Sequence, residues 1–132
     1  MNLPCEIAVK SVVPAIRARL AIELIQKHKL KQIETAKLLS ITQTAVSKYT
    51  HYVRGGTLRI DEEEDVKKVI SETATSLVQG NLDVMTLARE ICSTCRLVRE
   101  KGLMCQLCKN ANPTLDLERC TVCNPSSCQS QT

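Results

Sequence analysis

The chain has 132 residues, a net charge of +4 and a composition that is 43% hydrophobic but only 2% aromatic, without Trp or Phe. Its core must be built from Leu, Ile, Val and Ala, which favours small helical units, because the strands of sandwiches and barrels are rich in aromatic and β-branched residues. The absence of any run of about 18 apolar residues argues against a transmembrane helix, and the first residues lack a signal-peptide pattern. We expect an all-α, cytoplasmic protein with no membrane partner.

The charges are unevenly distributed along the chain. Residues 1–59 contain ten Lys and Arg against three Asp and Glu, whereas residues 60–90 contain three against eight. Residues 91–132 contain five against three and most of the cysteines. A basic first part, an acidic middle and a Cys-rich end indicate three roles along one chain.

A first helix is predicted over residues 12–28. Its apolar positions fall near one stripe, as expected for a helix with one buried face: Val13, Ile16, Leu20, Leu24 and Ile25. Pro14 is tolerated in the first turn, where its missing N–H has no helical partner.

Residues 32–51 predict a helix, a tight turn and a second helix. Ala36 is small, as required where two helices cross closely, and two apolar residues flank Ser40 in the turn. Thr42 is expected to be the N-cap of the second helix. Val46 and Tyr49 should face the core, which leaves a polar outer face: Gln43, Thr44, Ser47 and Lys48.

These residues resemble the helix-turn-helix of the lambda-repressor and Cro-like (XRE-type) family. The matching features are Gln32 at the start, TAKLL at residues 35–39, Ile41 and TQTAVSK at residues 42–48. The resemblance covers about fifty residues. It departs at Ser40, where the family usually has Gly, and a non-Gly residue there costs about 1 kcal/mol if φ is positive.

The resemblance implies that residues 43–54 form a recognition helix in the major groove of double-stranded DNA. Gln43 then suits adenine, and Thr44 suits a thymine methyl group or a phosphate. The other outward residues suit bases or backbone, and Gln32, His51 and Arg54 would hold phosphates. The predicted DNA-binding residues are Gln32, Thr42, Gln43, Thr44, Ser47, Lys48, His51 and Arg54. The competing interpretation is two packed helices with an ordinary polar surface.

The acidic middle part predicts two more helices. A short extended link or wing at residues 57–60 precedes an amphipathic helix at residues 61–79, whose acids favour its N-terminus. Its stripe comprises Val66, Val69, Ile70, Thr73, Ala74, Leu77 and Val78. Gly80 ends this helix, and another is predicted over residues 83–100.

These stripes have two interpretations: packing on the first part of the same chain, or dimerisation. Proteins that carry such a helix-turn-helix usually bind as dimers, because one recognition helix reads too few base pairs. We therefore expect a homodimer, without assigning the helix that supplies its interface.

The cysteines form three C-x-x-C pairs and two single positions: Cys5, Cys92, Cys95, Cys105, Cys108, Cys120, Cys123 and Cys128. One C-x-x-C pair presents two thiolates to one metal, so eight cysteines suffice for two sites with four thiolates each. In a reducing cytosol this spacing favours metal binding over disulfides. The alternative is thiols that pack or form stray disulfides, and the thin apolar content of residues 105–128 argues against packing.

The surroundings of the pairs favour an iron–sulfur cluster, with [4Fe–4S] preferred, over zinc. Zinc knuckles usually have Gly soon after the second Cys, whereas Arg96, Lys109 and Asn124 stand there. The first pair also falls inside a predicted helix. The last group, CTVCNPSSC, is more knuckle-like, so zinc remains the alternative cofactor, and we expect an irregular Cys-rich tail.

The start LPCEIAVK and the ICSTCRLVRE ending also resemble a family of small archaeal predicted transcriptional regulators. The match covers residues 3 to about 108. It implies a shared site of Cys5, Cys92, Cys95 and Cys105, and leaves Cys108, Cys120, Cys123 and Cys128 for a second site. The competing partition, by sequence proximity, joins residues 92, 95, 105 and 108 and leaves Cys5 with the tail cysteines.

The predicted organisation is a helix-turn-helix DNA-binding domain (residues 1–56), a linker with dimerisation helices (57–90) and a Cys-rich metal-binding region (91–132) to which Cys5 contributes. The predicted function is a transcriptional regulator whose metal centre senses redox state, oxygen or iron. The alternatives are a regulator with structural zinc, and an electron-transfer or thiol-redox protein. The last alternative is disfavoured, because no βαβ context, Rossmann or P-loop pattern or His–Cys dyad is found. No enzyme and no small-molecule substrate are expected.

Overall fold

The computed structural model describes residues 3–55, 60–114 and 116. All regular structure within these ranges is helical, so the expected all-α class is confirmed. The helices are α1 (Pro4–Lys10), α2 (Val12–Gln26), α3 (Gln32–Leu39), α4 (Gln43–Gly55), α5 (Glu64–Val78), α6 (Val84–Glu100) and α7 (Cys105–Ala111), with a 3₁₀ turn at Ile60–Glu62.

Helix α1 precedes the first helix that the sequence predicts. Pro4 occupies its first position, where a missing N–H costs nothing. The helix ends at Ser11, whose backbone leaves the helical region and whose hydroxyl donates a 2.6 Å hydrogen bond to the Ile7 carbonyl. Ser11 therefore separates α1 from α2 and lets α1 reach both α2 and α7.

Helix α2 is the centre of the fold, and it contacts α1, α3, α4, α5 and α6. The predicted stripe is confirmed at Ile16, Leu20 and Leu24, each at most 1% exposed. The burial is wider than one stripe, because Ala15, Ala18 and Ala21 are also buried. Small side chains on these faces let neighbouring helices approach α2 on several sides.

Helices α3 and α4 are joined by the three residues 40–42. Ser40 adopts the left-handed conformation with φ 56° and ψ 41°, so the expected cost of a non-Gly residue applies. The Ile41 N–H donates to the Ala36 carbonyl at 3.0 Å and closes the end of α3. Thr42 is the N-cap of α4, since its hydroxyl oxygen accepts from the Ala45 N–H at 3.0 Å.

Helices α5 and α6 form an antiparallel pair that packs on α2. Gly80 takes a positive φ of 76° in the connection, and the Asp83 carboxylate begins α6 by accepting from the Thr86 N–H at 2.7 Å. The other ends are joined by Lys101, whose Nζ lies 2.7 Å from Asp65 Oδ2 and 3.8 Å from Glu63 Oε2. Helix α5 begins later than predicted because Ile60–Glu62 form the 3₁₀ turn, in which Ile60 is buried.

The stripe of α5 is buried within its own chain: Val66, Ile70, Thr73, Ala74 and Leu77. Internal packing is thus the interpretation that fits this stripe, and a second chain would have to use another surface. Val78, at the end of the predicted stripe, is 42% exposed.

The Cys-rich end departs from the expected irregular structure at Cys105–Ala111, which is helix α7. Met104 is 1% exposed and Cys108 5% exposed, and both belong to the core. The prediction that residues 105–128 are too poor in apolar residues to pack is therefore wrong at Cys108, which is buried, and at Leu107, which packs against the core. Among the helices of the described residues, none is long and apolar enough to cross a membrane.

Candidate nucleic-acid interface and cysteine cluster

Helix α4 packs against the core on one face and is exposed to solvent on the other. Val46 is completely buried against the core, which contributes roughly 1.5–3 kcal/mol, and α4 contacts both α2 and α3. Gln43, Thr44 and Lys48 are exposed, whereas Ser47 is half-buried. The predicted outward residues thus lie in the first two turns of a helix whose N-terminus is capped and whose opposite face is held.

A groove of about 280 Å³ lies beside this face, between α2, the start of α3 and α4. Its lining includes Gln32 and His51, two residues predicted to hold phosphates and 19 positions apart in sequence. The His51 Nδ1–H donates to the Ser47 carbonyl at 2.9 Å, since a carbonyl oxygen only accepts, and the same oxygen accepts from the Thr50 hydroxyl at 2.7 Å. The fold therefore brings together two of the residues that are predicted to contact DNA phosphates. The side chain of Arg54 lies outside the described residues.

The cysteines of the two chain ends also approach each other. Cys5 is exposed on α1, while α6 carries the exposed Cys92 and the buried Cys95. The Arg99 guanidinium Nη1 donates to Cys5 Sγ at 3.7 Å. Arg99 thereby links the first helix of the chain to the sixth.

The pKa of the Cys95 thiol is influenced by several neighbouring groups. Burial raises the pKa of this thiol above its usual value, whereas the charge and hydrogen bond of Arg99 oppose the rise. Cys92 and Cys5 both push the pKa further up. Cys95 is therefore within electrostatic range of both other thiols, and Arg99 acts on both Cys95 and Cys5. Arg99 was missed in the sequence, although it stands four residues after Cys95, the spacing that places two side chains on one helical face.

The remaining described cysteines lie on α7. Gly102, with φ 75°, makes the turn before α7, and a Cβ there would stand 3.7 Å from Cys105 Sγ. Cys105 is half-buried and Cys108 is buried. Because α1 contacts α7, Cys5 and Cys105 belong to neighbouring helices.

The cysteines supply the type of donor atom that a metal centre needs, but the described side chains are not arranged as a metal site. Soft thiolates are the donors that zinc and iron–sulfur clusters take. Within residues 3–55, 60–114 and 116, however, no three His, Cys, Asp or Glu side chains are grouped closely enough to hold a metal ion. Cys120, Cys123 and Cys128 lie outside the described residues. Both partitions of the cysteines therefore stay predictions.

Comparison of the chain with protein-family models, with curated proteins and with solved structures finds no match. A functional assignment consequently rests on the residues, their placement and their chemistry.

Proposed function

We propose that the chain is a sequence-specific DNA-binding transcriptional regulator that acts as a homodimer, with α4 as its recognition helix. The proposal rests on the difference between the buried face and the exposed face of α4. Val46 anchors one face in the core, while Gln43, Thr44 and Lys48 stand exposed on consecutive turns behind a three-residue connection from α3. Such a helix offers long polar side chains to base edges in a major groove.

The charge around α4 supports the same proposal. Two of the three acids in residues 1–59 are engaged locally: Glu23 pairs with Lys27 at 2.9 Å, and the Glu34 carboxylate accepts from the Lys31 backbone N–H at 3.4 Å. Lys29, Lys37 and Lys48 are exposed. A surface with this excess of cations attracts phosphates and releases counterions when it binds DNA.

We further propose that the cysteines hold a metal centre, with an iron–sulfur cluster favoured and zinc as the alternative. Support comes from Cys5, which the fold carries to Arg99 and to the neighbourhood of Cys92 and Cys95. A bound cluster would supply a redox response, whereas zinc would supply structural stability. In either case these residues would hold α1 against α6 and so couple metal binding to the fold of the regulator.

The test is DNA selection on the full chain, followed by titration of the selected duplex at several salt concentrations. Gln43→Ala should weaken binding about 5- to 150-fold, the equivalent of the roughly 1–3 kcal/mol lost with a base contact. Lys48→Ala should weaken binding and, if Lys48 contacts a phosphate, reduce the salt slope by about 1. Lys67→Ala is the matched control for Lys48→Ala, because Lys67 is an exposed lysine of α5 and the same charge is lost.

Equal loss of affinity in Lys48→Ala and Lys67→Ala would contradict a recognition role for α4. A chain that selects no sequence and binds no duplex in a salt-dependent way would remove the regulator assignment altogether. Reversible reduction of such a chain would then favour the electron-transfer or thiol-redox alternative.

A further inference from the structure

The connection between α5 and α6 forms a tip that combines exposed apolar side chains with few charges. Val78, Val84 and Met85 are exposed there by 42%, 61% and 77%. They lie within eight residues of sequence, at the end of one helix and the start of the next. Each is a large apolar side chain that this fold leaves in solvent.

The tip is also almost free of charge. Residues 73–88 contain one charged side chain, Asp83, in a chain that is 24% charged. Its carboxylate accepts the Thr86 N–H, and it sits at the N-terminus of α6, where the helix dipole offsets a negative charge. The pKa of Asp83 is lowered, first by hydrogen bonding from Thr86.

We propose that this tip, defined by Val78, Val84 and Met85, is the surface through which two copies of the chain associate. The inference rests on the proposed function, because it names the interface of the proposed dimer. A second copy is the occupant that the charges favour. Two chains of net charge +4 repel each other through their basic surfaces. Two tips carry one negative charge each, which the start of α6 offsets, so they meet with less repulsion and remove apolar area from water.

The position of the tip is compatible with a dimer on DNA. Helix α5 has 15 residues, so the tip lies about 21 Å along α5 from the end that follows α4, at 1.5 Å per residue. Two chains joined at their tips can therefore separate those ends by up to about 42 Å. This span accommodates the roughly 34–36 Å between half-sites one turn of DNA apart.

The experiment is sedimentation of the full chain, without DNA, over a range of concentrations. Wild type should change from monomer to dimer as concentration rises, and Met85→Glu should stay monomeric. Val9→Glu is the matched control, since Val9 is 64% exposed on α1 and receives the same charge; it should dimerise like wild type. Val84→Lys provides a second tip variant in case Met85→Glu does not fold, as judged by its helical circular dichroism.

A wild-type chain that stays monomeric at high concentration would overturn the proposal, as would a folded tip variant that dimerises normally. The affinity for a duplex with a single half-site distinguishes a failure of the proposed interface from a failure of the proposed DNA binding. A monomeric Met85→Glu chain should keep the wild-type affinity for one half-site and lose the additional affinity for a two-site duplex.

Discussion

Arg99 Nη1 lies 3.7 Å from Cys5 Sγ, and this contact joins residues 94 positions apart in the chain. The same guanidinium acts on Cys95, one turn earlier on α6. A positive group between thiols from α1 and α6 compensates for the negative charge that thiolates would bring. This contact thus joins α1 to α6.

Replacing Arg99 by Met should loosen α1, because the guanidinium contact with Cys5 is lost while the aliphatic length of the side chain is kept. Hydrogen exchange of the amides of α1 should become faster, with α4 unaffected. Arg96→Met is the matched control, since Arg96 is exposed on the same helix. Unchanged exchange in α1 would mean that the apolar contacts of α1 suffice to hold it.

Anaerobic purification should give a protein that contains bound metal. The division of the cysteines between two sites can be tested by shortening the chain after Asp116. This truncation removes Cys120, Cys123 and Cys128. If Cys5, Cys92, Cys95 and Cys105 form one site, the truncated chain keeps one site, and Cys5→Ser abolishes it.

If the C-x-x-C pairs of residues 92–108 form the site instead, Cys5→Ser in the truncated chain should leave the metal content unchanged. Iron and sulfide in equal amounts identify a cluster, and zinc alone identifies a structural site. The intact chain carrying Cys5→Ser is the control for misfolding, because its second site should persist under the favoured partition.

The ion pair between Lys101 and Asp65 predicts how the stability of the fold depends on pH. A hydrogen bond and the charge of Lys101 lower the pKa of Asp65, and Asp65 raises the pKa of Lys101. The pair therefore stabilises the fold above the unfolded Asp pKa and loses this contribution as pH falls through the lowered one. It also stabilises below the unfolded Lys pKa and loses this contribution as pH rises through the raised one.

Thermal unfolding of Lys101→Met should accordingly show a lower Tm than wild type near neutral pH. The difference should shrink in strong acid and in high salt, because protonation and screening remove the attraction. Lys67→Met, which changes an exposed lysine one turn into α5, gives the comparison. A Tm difference independent of both pH and salt would point to lost packing of the Lys101 stem.

Ser40→Gly should stabilise the chain by about 0.5–1 kcal/mol, because Ser40 holds a positive φ at which a Cβ is unfavourable. Urea unfolding measures the change. Ser93→Gly is the opposite control, since Ser93 lies exposed inside α6 and Gly there should destabilise by a similar amount. A loss of stability in Ser40→Gly would show that the side chain contributes more than its backbone strain costs.

Local signals predicted the region from α2 to α4 well. The helical stripe of Ile16, Leu20 and Leu24 and the cap at Thr42 follow from residues within one or two turns. The positive φ of Ser40 occurs where the family resemblance predicts Gly. These features depend on backbone chemistry and periodicity, which a single sequence displays. The exposed face of α4 followed directly from them.

Features that depend on distant partners were missed. Helix α1 has seven residues, too few to be stable alone, and it forms by docking on α2. The contact of Arg99 with Cys5 and the pairing of Lys101 with Asp65 join separate helices. Periodicity also could not show whether the stripe of α5 faces its own chain or another one, since both choices bury the same residues.

Helix α2 touches the helix that carries Cys5, the helix that carries Cys92 and Cys95, and the helix proposed to read DNA. Helix α2 is thus a direct physical connection between the cysteines and α4. If metal at the cysteines changes DNA affinity through this helix by some factor, thermodynamic linkage requires DNA to change metal affinity by the same factor. An operator would then act as an effector of the metal site, and promoter occupancy would protect or release the metal as strongly as the metal governs occupancy.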